Sequence, residues 1–155
     1  VLASGVSTFT RDISIGGNQF TDAVQKALNV SYDEAEALKL GGSGPDSDAV
    51  VPQEVERVLQ TESESIANEI QRSLDFYSAT SADSHMSRIF LSGGSAKIPA
   101  LVKTIENRTS VPVEVVNPFR NIDIISSKLD PAYLASVAPL SSVAVGLALR
   151  RPADR

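Results

Sequence analysis

Cysteine and tryptophan are both absent from the sequence, and there is a single histidine, His85. Without cysteine there is no disulfide framework and no thiolate metal site, and the composition fits a reducing compartment such as the cytoplasm. One histidine rules out a histidine cluster. Aromatic residues make up only 5% of the chain, so any core must rest on Val, Ile, Leu and Ala. A basic surplus is also lacking. The formal net charge is −5, which argues against nonspecific binding to nucleic acid or to anionic lipid. No run approaches the ~20 apolar residues of a membrane-crossing helix, so no direct membrane span is expected. What remains is ordinary globular material, 155 residues with 42% hydrophobic and 21% charged.

The chain opens Val1-Leu2-Ala3, with no Met or polar lead-in, and runs straight into a strand-like pattern; this reads as a start inside a domain. Val1 to Ile15 predicts a strand pair, with turn chemistry at Ala3-Ser4-Gly5 and a break at Gly16-Gly17. A helix is predicted over Asn18 to Leu28, with Phe20, Val24, Ala27 and Leu28 on one stripe. Ser31 and Glu34 have the spacing of a capping box for a second helix, which Gly41-Gly42 should end. Ser43 to Val51 has loop composition. Pro52 then suits the first turn of a long amphipathic helix carrying Val55, Leu59, Ile66, Ile70, Leu74 and Tyr77 and ending near Ala82. Arg88 to Ser92 reads as a buried-type strand, followed by Gly93-Gly94 and a helix from Ile98 to Arg108. Val111 to Val116 is a second such strand. Pro131 to Val137 and Leu140 to Leu149 read as short apolar helices, with Arg150-Arg151 in a disordered tail. The order implies an α/β domain with one mixed sheet. Residues 1–15 and 84–155 would carry the sheet, and residues 16–83 a helical subdomain with its long connecting helix.

Two segments could carry chemistry. In Leu91-Ser92-Gly93-Gly94-Ser95-Ala96-Lys97-Ile98-Pro99, a strand runs through two glycines into a helix. Backbone without Cβ lets a ligand approach closely, and the helix start offers free amides. By itself this is common turn chemistry. The second segment is Ala35-Glu36-Ala37-Leu38-Lys39, where Glu36 and Lys39 share a helix face. Taken alone, it reads as an ordinary exposed ion pair, worth about 0.2–0.5 kcal/mol. No Walker-type loop occurs, His85 belongs to no Ser/His or Cys/His motif, and Asp12, Asp22, Asp33 and Glu34 form no recognisable metal spacing.

In combination, the segments resemble the PilM family of type IV pilus assembly proteins and its relative, the cell-division protein FtsA. The resemblance is carried by Arg11-Asp12-Ile13 through Gly16-Gly17-Asn18-Gln19-Phe20-Thr21, by the helix of Glu36 and Lys39, and by the loop from Leu91 to Pro99. Val116-Asn117-Pro118-Phe119 and Ala144-Val145-Gly146-Leu147-Ala148-Leu149-Arg150 resemble PilM more narrowly. The resemblance implies a partial actin-like (ribonuclease H-like) α/β domain whose first strand is missing. Gly93, Gly94 and Ser95 would match the adenosine loop of that superfamily, and Lys97 the basic residue over adenine in DnaK-type chaperones. Glu36 and Lys39 would match the helix pair at ribose and adenine. The phosphate- and metal-holding turns of the superfamily have no counterpart here, so ATP with Mg is implied for the intact protein and none for this chain alone.

The function implied is a cytoplasmic, non-enzymatic scaffold peripheral to the inner membrane, with ATP as a structural ligand. Its implied partners are the cytoplasmic tail of a PilN-like protein, pilus motor ATPases, and the missing N-terminal half or another copy of the chain; nucleic acid is not among them. Rival readings are an FtsA-like filament and membrane adaptor, which calls for a C-terminal amphipathic helix, and an actin-like ATPase, which calls for a water-positioning group.

Overall fold

The computed structural model describes residues 1–41, 52–81, 85–124 and 129–151, so the predicted 43–51 loop lies outside the described residues. The chain begins with a hairpin of β1 (Leu2–Ala3) and β2 (Val6–Ser7), paired Leu2 to Ser7 and Ala3 to Val6. Ser4 and Gly5 have φ of 51° and 80°, the positive pair that a tight two-residue hairpin turn requires. The predicted strand pair therefore closes early. Beyond Ser7 the backbone still bonds to Val1, the Thr8 amide donating to Val1 O at 2.9 Å and the Val1 ammonium to Phe9 O at 2.6 Å, while the Phe9 ring lies against Phe76 and Tyr77, with centroids 6.0 and 5.6 Å away.

Three helices follow: α1 (Gly17–Leu28), α2 (Tyr32–Lys39) and α3 (Gln53–Thr80). Asn29, in the left-handed region at φ 52°, ends α1. The capping box at α2 is formed: Ser31 Oγ accepts the Glu34 amide, and Glu34 accepts the Ser31 amide at 2.9 Å. α3 runs for 28 residues. It buries Val55, Ala67 and Tyr77, together with Ser63 and Ser73, whose hydroxyls donate to the carbonyls of Leu59 and Glu69. Those back-bonds let polar residues occupy the inward stripe without an unmet donor.

β3 (Ile89–Leu91) pairs in parallel with β4 (Val113–Val115), aligning Ile89 with Val113 and Leu91 with Val115. Between them, a 3₁₀ turn (Gly94–Lys97) leads into α4 (Pro99–Thr109), so the unit is a strand–helix–strand crossover. The sequence predicts one mixed sheet. Among the described residues there are instead two separate two-stranded sheets, the hairpin and the β3–β4 pair. The hairpin turn pairs β1 with β2 locally, and the next aromatic, Phe9, packs on α3.

α5 (Pro131–Val137), a 3₁₀ turn (Ala138–Leu140) and α6 (Ser142–Ala148) complete the fold. Arg150, expected in a disordered tail, donates its amide to Leu147 O at the end of α6. No single described helix is long and apolar enough to cross a membrane; α5 with its 3₁₀ extension meets α6 at 91°.

One buried cluster joins Phe20 of α1, Ala67 of α3, and Ile98, Leu101 and Ile105 at α4, with Ile89, Leu91 and Val113 packed against it. A second joins Val24, Ala35 and Val55. Helices from residues 16–83 thus share a core with the β3–α4–β4 crossover. Ile105 is fully buried in the first cluster. Ile105→Ala should lower unfolding stability by about 2–5 kcal/mol. Phe90→Ala, on the exposed face of β3, should change it by less than ~0.5 kcal/mol. Urea denaturation compares the two, and equal losses would mean that the core does not lie between α3 and α4.

Candidate functional site

Where α1, α2, α3 and the 3₁₀ turn converge, a cleft of about 1740 Å³ opens. Glu36, Lys39, Gly94, Ser95 and Lys97 all line it, although they lie far apart in sequence. Gly93 stands just behind this wall. Its φ of 99° demands glycine, and its amide donates to Pro139 O at 2.7 Å. Ser92 Oγ donates to the same carbonyl at 3.0 Å. These bonds seat the loop on the Ala138–Leu140 turn, and Leu140 reaches the cleft as a result. The volume exceeds that of a typical small-molecule site, so a ligand would occupy only part of it.

The floor is a polar network. Lys39 Nζ lies 2.6 Å from Glu36 Oε2, 3.0 Å from Thr21 Oγ1 and 3.4 Å from Gly17 O. Thr21 is fully buried. Its single hydroxyl proton goes to Glu36 Oε2, at 2.5 Å, in preference to Gly17 O at 3.2 Å. The Lys39 side chain is only 9% exposed. The exposed ion pair that the Glu36–Lys39 spacing suggests on its own is therefore not what forms. The bonds from Lys39, and then that from Thr21, hold the Glu36 carboxyl below the usual carboxylate range, against a smaller opposing effect of burial.

Gly17 and Thr21 are the site residues that sequence reasoning misses. Gly17 reads in the sequence as a strand breaker, yet a Cβ there would meet Ser95 Oγ at 3.2 Å and Lys39 Nζ at 3.7 Å. Its bareness lets the 3₁₀ turn approach α1. The only available signal is the Gly16-Gly17-Asn18-Gln19-Phe20-Thr21 run itself. Elsewhere on the walls, Arg57 is paired with Glu54 at 2.5 Å, whereas Lys97 and Lys103 are exposed and have no ion-pair partner among the described residues. Among those residues no group of three or more His, Asp or Glu side chains could hold a metal ion.

The sequence profile of the type IV pilus assembly protein PilM family matches residues 1–152. The chain belongs to the PilM family. A solved structure of a "PilM-PilN type IV pilus biogenesis complex" contains a chain of similar fold, with a TM-score of 0.74 at 23% identity. The match covers 90% of this chain and 38% of that one, so the chain spans well under half the length of the solved relative. Identity at that level speaks for fold alone. The cleft nevertheless lies wholly within the span that the PilM profile matches.

The depressed Glu36 carboxyl has a pH signature. A folded-state pKa below the unfolded value, ordinarily about 4.3, contributes stability that is fully present above the unfolded value. That contribution is lost as pH falls through the folded one. The stability difference between wild type and Glu36→Gln should therefore be constant near neutrality and shrink only below about pH 5. Denaturant melts across pH 3–7 (a range set by ~4.3) check this; a difference that grows on acidification would reverse the sign and refute it.

Proposed function

We propose that this chain is the adenosine-binding part of a PilM-type scaffold for type IV pilus assembly, built on a partial actin-like domain. The supporting observation is the convergence of Glu36, Lys39, Gly94, Ser95 and Lys97 on one cleft, within the span that matches the family. The chemistry suits a nucleoside. Backbone at Gly94 is open to a flat base, Lys97 offers an exposed cation that can lie over a π face, and Glu36 can accept a ribose hydroxyl. Mg typically keeps several waters and binds through one or two carboxylates and the ligand's phosphates, and this reading assigns it to no residue of this chain. Phosphates and metal would be held by polypeptide beyond this chain, and ATP would serve as a structural ligand bridging lobes, without turnover.

In this reading the full-length protein acts in the cytoplasm, peripheral to the inner membrane. It links the cytoplasmic tail of a PilN-like membrane protein to the pilus motor ATPases. The solved relative comes from a PilM–PilN complex, which favours PilN as the partner.

Calorimetric titration tests the nucleotide. The full-length protein should bind ATP-Mg, and the isolated 155-residue chain should bind it weakly or not at all. Gly94→Val should weaken binding by at least about tenfold, equivalent to ~1.4 kcal/mol. A Cβ at Gly94 already lies 3.5 Å from Leu140 Cδ2, so the branches of Val would crowd both Leu140 and the ligand. Tight binding by the isolated chain would show that the phosphate-holding segments are not needed.

A further inference from the structure

The β3–β4 pair has one covered face and one bare face. Ile89, Leu91 and Val113 pack against the core, so Phe90 and Glu114, aligned with each other in the parallel register, point to the opposite side. Phe90 is 61% exposed there. Parallel strands are ordinarily covered on both faces, so a bare face calls for a partner. Two arginines converge on it. Arg88 Nη1 donates to Glu114 Oε2 and Arg120 Nη2 to Glu114 Oε1, each at 2.5 Å. Arg88 stands two residues before Phe90 in the chain. Arg120 is carried back to the sheet by a turn in which Asn117 Oδ1 accepts the Phe119 amide at 3.0 Å and Asn117 O accepts the Arg120 amide at 3.3 Å. Neither that turn nor either arginine lines the cleft, so the nucleotide reading gives them no part.

The bland reading is a clamp that fastens the turn to the sheet. The arginine side chains are 52% and 66% exposed, and bridges this open to water add little to stability. A guanidinium has five N–H donors, and among the described residues each of these directs one nitrogen to Glu114 and none to another partner. Two positive charges thus meet one negative charge beside an exposed ring, in a chain whose net charge is −5.

We propose that this face of the β3–β4 pair is a docking surface for an acidic peptide segment of a partner protein. A carboxylate of that segment meets Arg88 and Arg120, and one of its apolar side chains lies on Phe90. Charge complementarity selects the occupant, and arginine with an aromatic ring is the pairing that most often dominates such contacts. Glu114 has two opposed effects. It holds both guanidinium forks in place before the ligand arrives, and its own charge repels the incoming carboxylate. The surface is independent of the adenosine reading and would outlast its failure.

The test uses the full-length protein and a fluorescein-labelled peptide of alternating Glu and Leu, with a Gln and Leu peptide of equal length as control. Fluorescence anisotropy should show saturable binding of the acidic peptide alone. Arg88→Gln, Arg120→Gln and Phe90→Ser should each weaken it at least about fivefold. Lys97→Gln and Lys103→Gln, at the exposed cations of the cleft, should leave it unchanged. Phe90→Ser should also leave the melting temperature unchanged, which separates lost binding from lost folding. Glu114→Gln keeps an acceptor but removes the charge, and it should tighten binding; a clamp with only a structural role would not do so. The proposal is overturned if no saturable binding appears, if the Gln peptide binds equally, or if the lysine variants lose as much as the arginine variants. Two other occupants have their own signatures. Self-association in sedimentation that Arg88→Gln abolishes would give the face to a second copy. Protection of Phe90→Cys from maleimide in the full-length protein would give it to that protein's own further polypeptide. Either result overturns the acidic-peptide assignment.

Discussion

The inward face of α3 is the constraint on which the rest of the molecule depends. A helix of 28 residues has one long apolar stripe to cover, and no single neighbour here is long enough to do so. Near its start, Val55 is covered by Val24 of α1 and Ala35 of α2. Further along, Ala67 is covered by Phe20 of α1 and by Leu101 and Ile105 of α4. At its end, Phe76 and Tyr77 meet Phe9. The two halves of the candidate site, on α2 and on the 3₁₀ turn that leads into α4, are therefore located by the packing of those helices on a shared backbone element. The cleft is the space left where those neighbours meet over the first turns of α3.

Much of this is legible in the sequence, for definite reasons. The Ser31–Glu34 capping box, the glycine at 41, the proline before α3 and the proline at the start of α4 are local signals, and each marks a boundary to within a residue or two. Strand lengths are overestimated from sequence because β-rich composition from Val6 to Thr10 carries no information on pairing. Only Val6 and Ser7 lie in the ladder, Thr8 and Phe9 bond back to the first residue, and the Phe9 ring turns to a remote aromatic contact with α3. Composition cannot exclude a single sheet, since pairing is a tertiary fact.

The site divides along the same line. The Gly93–Lys97 loop and the Glu36–Lys39 pair are visible as spacing, and their family resemblance gives reason to set them side by side. Burial is what spacing cannot convey. The same three-residue interval describes a pair with a solvated cation at Glu54 and Arg57 and a pair with a buried cation at Glu36 and Lys39. The difference lies in Thr21 and Gly17, which supply a hydroxyl and a carbonyl from another helix. Neither residue type announces a role in binding, so neither stands out in the sequence.

The length of α3 also bears on chain entropy. Lys39 and Gly94 are far apart along the polypeptide, and closing a flexible loop of that size would remove a large amount of conformational freedom before the cleft gained any contact. A helix takes up its residues at ~1.5 Å each in a single ordered rod. Because α3 accounts for 28 of the intervening residues, only the connections at either end remain to be closed. The rod is thereby a spacer as well as a core element: once it has formed, one cleft wall reaches the other across far fewer independent residues than their separation in sequence.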